Sequence, residues 1–233
     1  MHGTTPSIYK PVTKQFTLGG NGEAYGASTD SGAGWAYRAD NGFAVSSNIV
    51  SKQNGTSNGL LTDESKTSWA TQVGYTKSNY SLSALLNIKS NGWSDTYYHT
   101  ADHGTGGNGN FSSVGLRGWW RPDNTDTAVP SISVGFDTTE YDGAPSDTSN
   151  STAYFVGLNW EDKFQADDKI GVAFGKPTTN ESEDVDPFAY EVYYSFKPND
   201  SITVTPAIFG GTDRNGTDGG DIFGAVLETT FKF

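Results

Sequence analysis

The run Asp213-Arg214-Asn215-Gly216-Thr217-Asp218-Gly219-Gly220-Asp221 places side-chain oxygens two or three residues apart, with glycines for sharp turns. That spacing makes Asp213, Asn215, Asp218 and Asp221 candidate ligands for a calcium ion in an extracellular loop, because hard cations take several oxygen donors from a short, sharply turning segment. The distal bidentate Glu of an EF-hand is missing, and the same residues read equally as an acidic hairpin loop that stays hydrated. His99 and His103 have a spacing that suits a metal, but the glycines after them argue for a loop rather than a helix face. Covalent chemistry finds little to work with. No Gly-x-Ser-x-Gly elbow, phosphate loop or His-Glu-x-x-His is present. Carboxylate pairs could be drawn from many loops, which makes them uninformative without geometry. The chain therefore reads as a non-enzyme.

A second set of residues suits the wall of a water-filled passage. Arg38, Asn48, Gln72, Asn87, Lys89, Arg117, Arg121, Asn159, Lys169, Glu191, Glu228 and Lys232 all fall on the polar phase of alternating runs. Charged and amide side chains in such a passage select ions and polar solutes by charge and size. Each of the twelve also reads as solvated filling. Arg117, with Trp119 on the same phase and Arg121 beyond it, is the strongest cluster. It suits either a basic ladder with a stacking surface for anions or sugars, or an inward Arg–Glu pair.

The elements that must position these residues are strands. Tyr80, Leu82, Ala84, Leu86 and Ile88 interleave with Ser81, Ser83, Leu85 and Asn87, a period of two with one apolar face. About twelve such segments occur, near residues 12–18, 33–39, 42–52, 67–77, 79–89, 111–121, 129–139, 151–162, 168–176, 187–197, 200–210 and 221–233. Most are close to ten residues, the length of a tilted strand that crosses a bilayer. Their connections alternate strictly between short turns and long Gly-, Ser- and Asp-rich loops, near 19–32, 53–66, 90–110, 140–151, 177–187 and 210–221. A sandwich with Greek-key crossings has no reason to keep that parity. The expected fold is all-β, a transmembrane antiparallel up-and-down barrel of about 12 strands.

Charge and aromatic placement agree with that map. Sixteen of the 27 acids lie in the six long loops with only two bases, so the loops carry −14 and the rest of the chain +2. Apart from residues at the run ends, Asp137, Glu191 and Glu228 are the only acids within strand runs. Tyr75, Tyr80, Trp160, Phe196, Phe231 and Phe233 stand near the ends of apolar faces, where rings suit a headgroup boundary. A strongly acidic mouth would concentrate cations and bridge lipopolysaccharide through divalent metals.

Composition removes other classes. A net charge of −12 leaves no basic patch for nucleic acid, and the absence of cysteine excludes disulfides and thiol chemistry. No window approaches the ~20 apolar residues of a membrane-spanning helix. Met1 to Pro6 has neither the basic nor the apolar region of a signal peptide, so the chain is expected to be a processed or truncated piece. A hydrophobic share of 34% with 29 glycines suits a wall that is apolar on one face only, with no packed core. The rival from another class is a secreted soluble β-sandwich that binds carbohydrate, whose apolar faces would turn inward against each other.

Several stretches resemble the barrel of cyanobacterial outer-membrane porins, the group related to carbohydrate-selective porins and described as iron-uptake porins. The resemblance is carried by Asp40-Asn41-Gly42-Phe43-Ala44, Val129 to Phe136, Tyr154 to Trp160, Asp168 to Gly175, and most specifically by Tyr190 to Phe233. It implies an outer-membrane channel of a Gram-negative cell for passive diffusion of inorganic ions, iron included, and of small solutes such as sugars, assembled as a homotrimer among lipid and lipopolysaccharide. That family also carries a signal peptide, a peptidoglycan-binding domain, a coiled-coil spacer and about sixteen strands. Against it, residues 1–233 read as one barrel domain that either lacks its first strands or forms a complete smaller barrel.

Overall fold

The computed structural model describes residues 7–13, 31–52, 59, 62–91, 93, 109–125, 127–142, 150–181 and 183–232. Eleven strands follow one another: β1 (Gly32–Arg38), β2 (Phe43–Ser51), β3 (Thr67–Thr76), β4 (Tyr80–Lys89), β5 (Asn110–Trp120), β6 (Ser131–Asp142), β7 (Asn150–Glu161), β8 (Lys169–Asn180), β9 (Phe188–Asn199), β10 (Ile202–Thr212) and β11 (Ile222–Phe231). They form a single antiparallel sheet in sequence order, each strand bonded to the next. Among the described residues there is no second sheet for an apolar face to pack on, as a sandwich would need. β1 and β11 are the edges.

The strand runs read from the sequence are recovered from β1 to β11. The first expected segment, near 12–18, differs. Residues 11–13 are not strand, and 14–18 lie outside the described residues. β6 and β8 are longer than their apolar stretches, reaching Asp142 and Asn180. Glu140 pairs with Asn150 and Thr179 with Thr152, because the backbone ladder continues past the point where side chains turn polar. Pro177 is accommodated at the register shift opposite Thr152 to Tyr154, where one ladder bond is already missing.

Turn chemistry sets the pairing at the short-turn end. Gly42 adopts φ of 100°, and a Cβ there would lie 2.2 Å from the Thr76 carbonyl oxygen, so the tight passage from β1 to β2 requires glycine. The Asn41 side chain accepts from the Phe43 amide at 2.9 Å. At the 162–168 turn the Asp168 carboxylate accepts from the amides of Lys163, Phe164 and Gln165 and from the Tyr194 hydroxyl. Burial pushes its pKa up, but these four donors outweigh it and hold the carboxyl below its usual range.

The sheet is inside-out relative to a water-soluble protein. Ser81, Leu85, Asn87 and Lys89 of β4 are buried, whereas Leu82, Leu86 and Ile88 are exposed. The same holds in β5, where Ser113 and Arg117 are enclosed and Val114 and Leu116 face out. The interior is not wholly without apolar packing. Tyr9, Phe155, Ala173, Ala189, Tyr193 and Ala207 form a small enclosed cluster, which corrects the expectation of no core at all.

Candidate functional site

The enclosed face carries a continuous set of polar groups, built by register. Gln72 of β3 pairs across from Ser46, and Asn87 across from Ala70; Asn48 shares that row. The Ser68 hydroxyl donates to the Asn87 side-chain oxygen at 2.9 Å, and Ser113 and Thr139 share a hydrogen bond of 2.7 Å. Lys89 has 0% of its surface exposed, with its ammonium 5.9 Å from the Phe111 ring centre. An amide of Asn159 donates to the Tyr193 hydroxyl at 2.8 Å.

Arg117 has a carboxylate partner, as one of its two sequence readings expects, but the partner is Asp137 rather than a Glu. Its Nη2 lies 2.7 Å from each carboxylate oxygen, and Nη1 donates to the carbonyls of Leu116 and Phe136. Both side chains are essentially enclosed. Arg121 sits at the short-turn end, donates from Nε to the Ser78 carbonyl at 2.9 Å, and lies 5.8 Å from the Trp119 ring centre. Arg121 thus stands beside the Trp119 ring, while Arg117 is paired with Asp137 and forms no ladder with it.

Of the other expected wall residues, Glu191 is fully buried, and Lys169 pairs with Glu161 at 2.7 Å near the short turns. Arg38 and Glu228 share the inward phase on the two edge strands, where both are exposed; Lys232 follows just beyond β11. The interior therefore gathers Gln72, Asn87, Lys89, Arg117, Asn159 and Glu191 most closely. Arg38, Arg121, Lys169, Glu228 and Lys232 lie at its rims and edges.

Segment 7–13 was not legible as part of this site. It lies within the enclosed side, where the Ile8 and Tyr9 amides donate to the Ser133 hydroxyl at 3.2 and 3.1 Å. Below it, a cavity of about 360 Å³ opens at the short-turn end, with Lys10, Arg121, Glu161 and Lys169 in its wall.

The outward face is apolar between two aromatic levels. Tyr75 and Tyr80, Trp120, Phe164 with Tyr194, and Phe196 mark the short-turn end. Trp69, Phe174 with Phe188, and Phe223 mark the other. Some polar atoms between them satisfy one another: Ser47 and Thr71 share a hydrogen bond at 3.0 Å, and the Trp69 indole donates to Ser47 at 2.9 Å.

At the 213–221 loop, the Asp213 carboxylate accepts from the Gly219 amide, and Asp221 accepts from the Asp213 amide. Asp218 is exposed. No three carboxylate or imidazole side chains converge to hold an ion among the described residues. Two of the four expected ligands thus act as turn braces. His99 and His103 lie outside the described residues.

No family model matches this chain, and no curated protein matches it. A solved chain described as KdgM porin in complex with disordered oligogalacturonate is similar at 14% identity and a TM-score of 0.37, the match covering 87% of this chain and 91% of that one. A likeness that distant transfers no function, so the site stands on its own residues.

Proposed function

We propose that this chain is an outer-membrane porin, a non-catalytic channel for passive diffusion of small hydrophilic solutes. The observation that carries the reading is the inverted polarity of the sheet. Twenty-five large apolar side chains among the described residues are exposed, most of them on the outward phase of the strands, while Lys89, Arg117, Asp137 and Glu191 are enclosed. In water, each bulky side chain left exposed forgoes about 1.5–3 kcal/mol of burial, so a continuous face of them calls for a hydrocarbon surround. Dimensions agree. Phe223 and Phe231 are eight residues apart on β11. At about 3.3 Å per residue and a tilt near 40°, they bracket a band on the order of 20 Å, close to the ~25 Å of outer-membrane barrels.

The solutes follow from the wall. Amides, hydroxyls and paired charges suit inorganic ions and sugars, and the acidic long loops favour cations at that mouth. Iron among the ions, a trimeric assembly and a cyanobacterial outer membrane are suggested by the porin-like stretches of sequence. Calcium in the 213–221 loop is no part of this reading. The test is liposome swelling. Vesicles holding the protein should swell in isosmotic arabinose faster than in a trisaccharide, and the protein should need detergent and shift its gel mobility on heating. A protein that stays soluble without detergent and leaves vesicles impermeable would end the proposal.

A further inference from the structure

We infer that residues 7–13 are an in-channel plug, seated against β7 and β9 and clamped by Glu191, that sets the conducting cross-section. This rests on the channel reading above. Glu191 is the receptor. Its Oε1 accepts from the Tyr9 hydroxyl at 2.8 Å and the Val12 amide at 3.1 Å, and its Oε2 accepts from the amide and hydroxyl of Thr13. One enclosed carboxylate thus organises three residues of a segment that belongs to no strand. A carboxylate suits this task because it only accepts; a carboxamide would have to turn its NH2 toward two donors, whichever way it faced.

The wall is shaped to receive the segment. Gly157, Gly171, Ala173, Ala189 and Ala207 are the small residues on the inward face of β7–β10 beside the cluster that Tyr9 joins. A Cβ on Gly157 would lie 2.5 Å from Cγ of Tyr9, so the ring occupies a notch that only glycine leaves open. Tyr9 is 3% exposed, with ring centres 5.6 Å from Phe155 and 5.8 Å from Tyr193. On β3–β6 the same inward face carries Gln72, Asn87, Lys89, Arg117 and Asp137. Small inward residues occur there too, Ser68, Ala70 and Ser113 around Asn87; at Gly157 it is the Tyr9 ring that fills the space a Cβ would take.

The size of the obstruction is large. Eleven to twelve strands at ~4.8 Å spacing and ~40–45° tilt would enclose a backbone radius on the order of 12 Å, or roughly 7 Å after inward side chains. An extended chain about 10 Å across with its side chains occupies on the order of half of that section.

The experiment uses the full chain, which has no cysteine, in planar bilayers and in detergent. Val12→Cys supplies a reporter thiol. Gly157→Val evicts the Tyr9 ring, and Glu191→Gln disrupts the clamp; a variant lacking residues 1–13 stands in if Gly157→Val fails to fold. Conductance should rise about twofold in each altered protein relative to the parent. Maleimide labelling of the reporter should speed up about tenfold or more in the Gly157→Val and Glu191→Gln backgrounds, as the protecting contacts open. Labelling at one rate in all backgrounds overturns the seat. Faster labelling with unchanged conductance overturns the plug. If no protein conducts at all, the channel reading falls while the labelling rates still decide whether the segment is clamped.

Discussion

Asp137→Asn isolates the balance of forces inside the sheet. The substitution keeps shape and removes the charge facing Arg117, whose side chain is 1% exposed against 2% for Asp137. Opposite unit charges ~4 Å apart interact by about 4 kcal/mol at an effective dielectric near 20, but by about 1 kcal/mol in bulk water. Enclosure by protein therefore predicts a loss near 3 kcal/mol, at the lower end of the ~3–5 kcal/mol typical of breaking a buried pair. The lower end applies because Nη1 keeps its carbonyls, at 2.8 Å from Leu116 and 3.1 Å from Phe136. Replacing both partners, Arg117→Met with Asp137→Leu, removes the stranded charge and should return stability to within about 1 kcal/mol of the parent. Urea unfolding in micelles of fixed composition, followed by tryptophan fluorescence, reads all three proteins. A loss under about 1 kcal/mol for Asp137→Asn would place the pair in solvating water, and a double variant no better than the single would refute the argument from an uncompensated charge.

Leu116→Arg tests the outward face. The side chain is 49% exposed, so the change should cost within about 0.5 kcal/mol if that face met water, but about 2–4 kcal/mol at mid-membrane, as refolding into lipid vesicles would measure. Gly42→Ala should lower stability by about 1–3 kcal/mol in the same assay, because φ is 100° and the new Cβ meets the Thr76 carbonyl; an unchanged midpoint would show that the turn relaxes freely. Asp168 makes stability depend on pH. Its folded pKa is depressed, so its contribution is complete above the unfolded value near ~3.9 and is lost as pH falls through the lower folded one. Parent and Asp168→Asn should therefore differ in unfolding midpoint at pH 6 and converge in strong acid; a gap that persists unchanged would contradict the assignment.

Much of the wall was legible because its signals are local. Tyr80 to Ile88 alternates cleanly, and the strand there runs Tyr80–Lys89. Lys89, Arg117, Asn159 and Glu191 sit on the phase that register turns inward, since a period of two leaves no third choice. What escaped depended on distance in the chain. Asp137 and Arg117 are twenty residues apart, and only the β5–β6 register brings them together. Segment 7–13 has no periodicity, and its partners Ser133 and Glu191 stand more than 120 residues away. Its one local trace is the small inward residues Gly157, Ala173 and Ala189, which look like ordinary positions of alternating strands. In the 213–221 loop, likewise, oxygen spacing alone does not reveal that Asp213 and Asp221 accept from loop amides.

Single-channel recording from the purified full chain in planar bilayers asks whether the sheet conducts at all. Discrete, ohmic current steps are expected, with reversal potentials in a salt gradient that favour cations, as the acidic loop mouth requires. Folded protein that inserts without ever conducting would contradict the channel, and a preference for anions would contradict the dominance of that mouth.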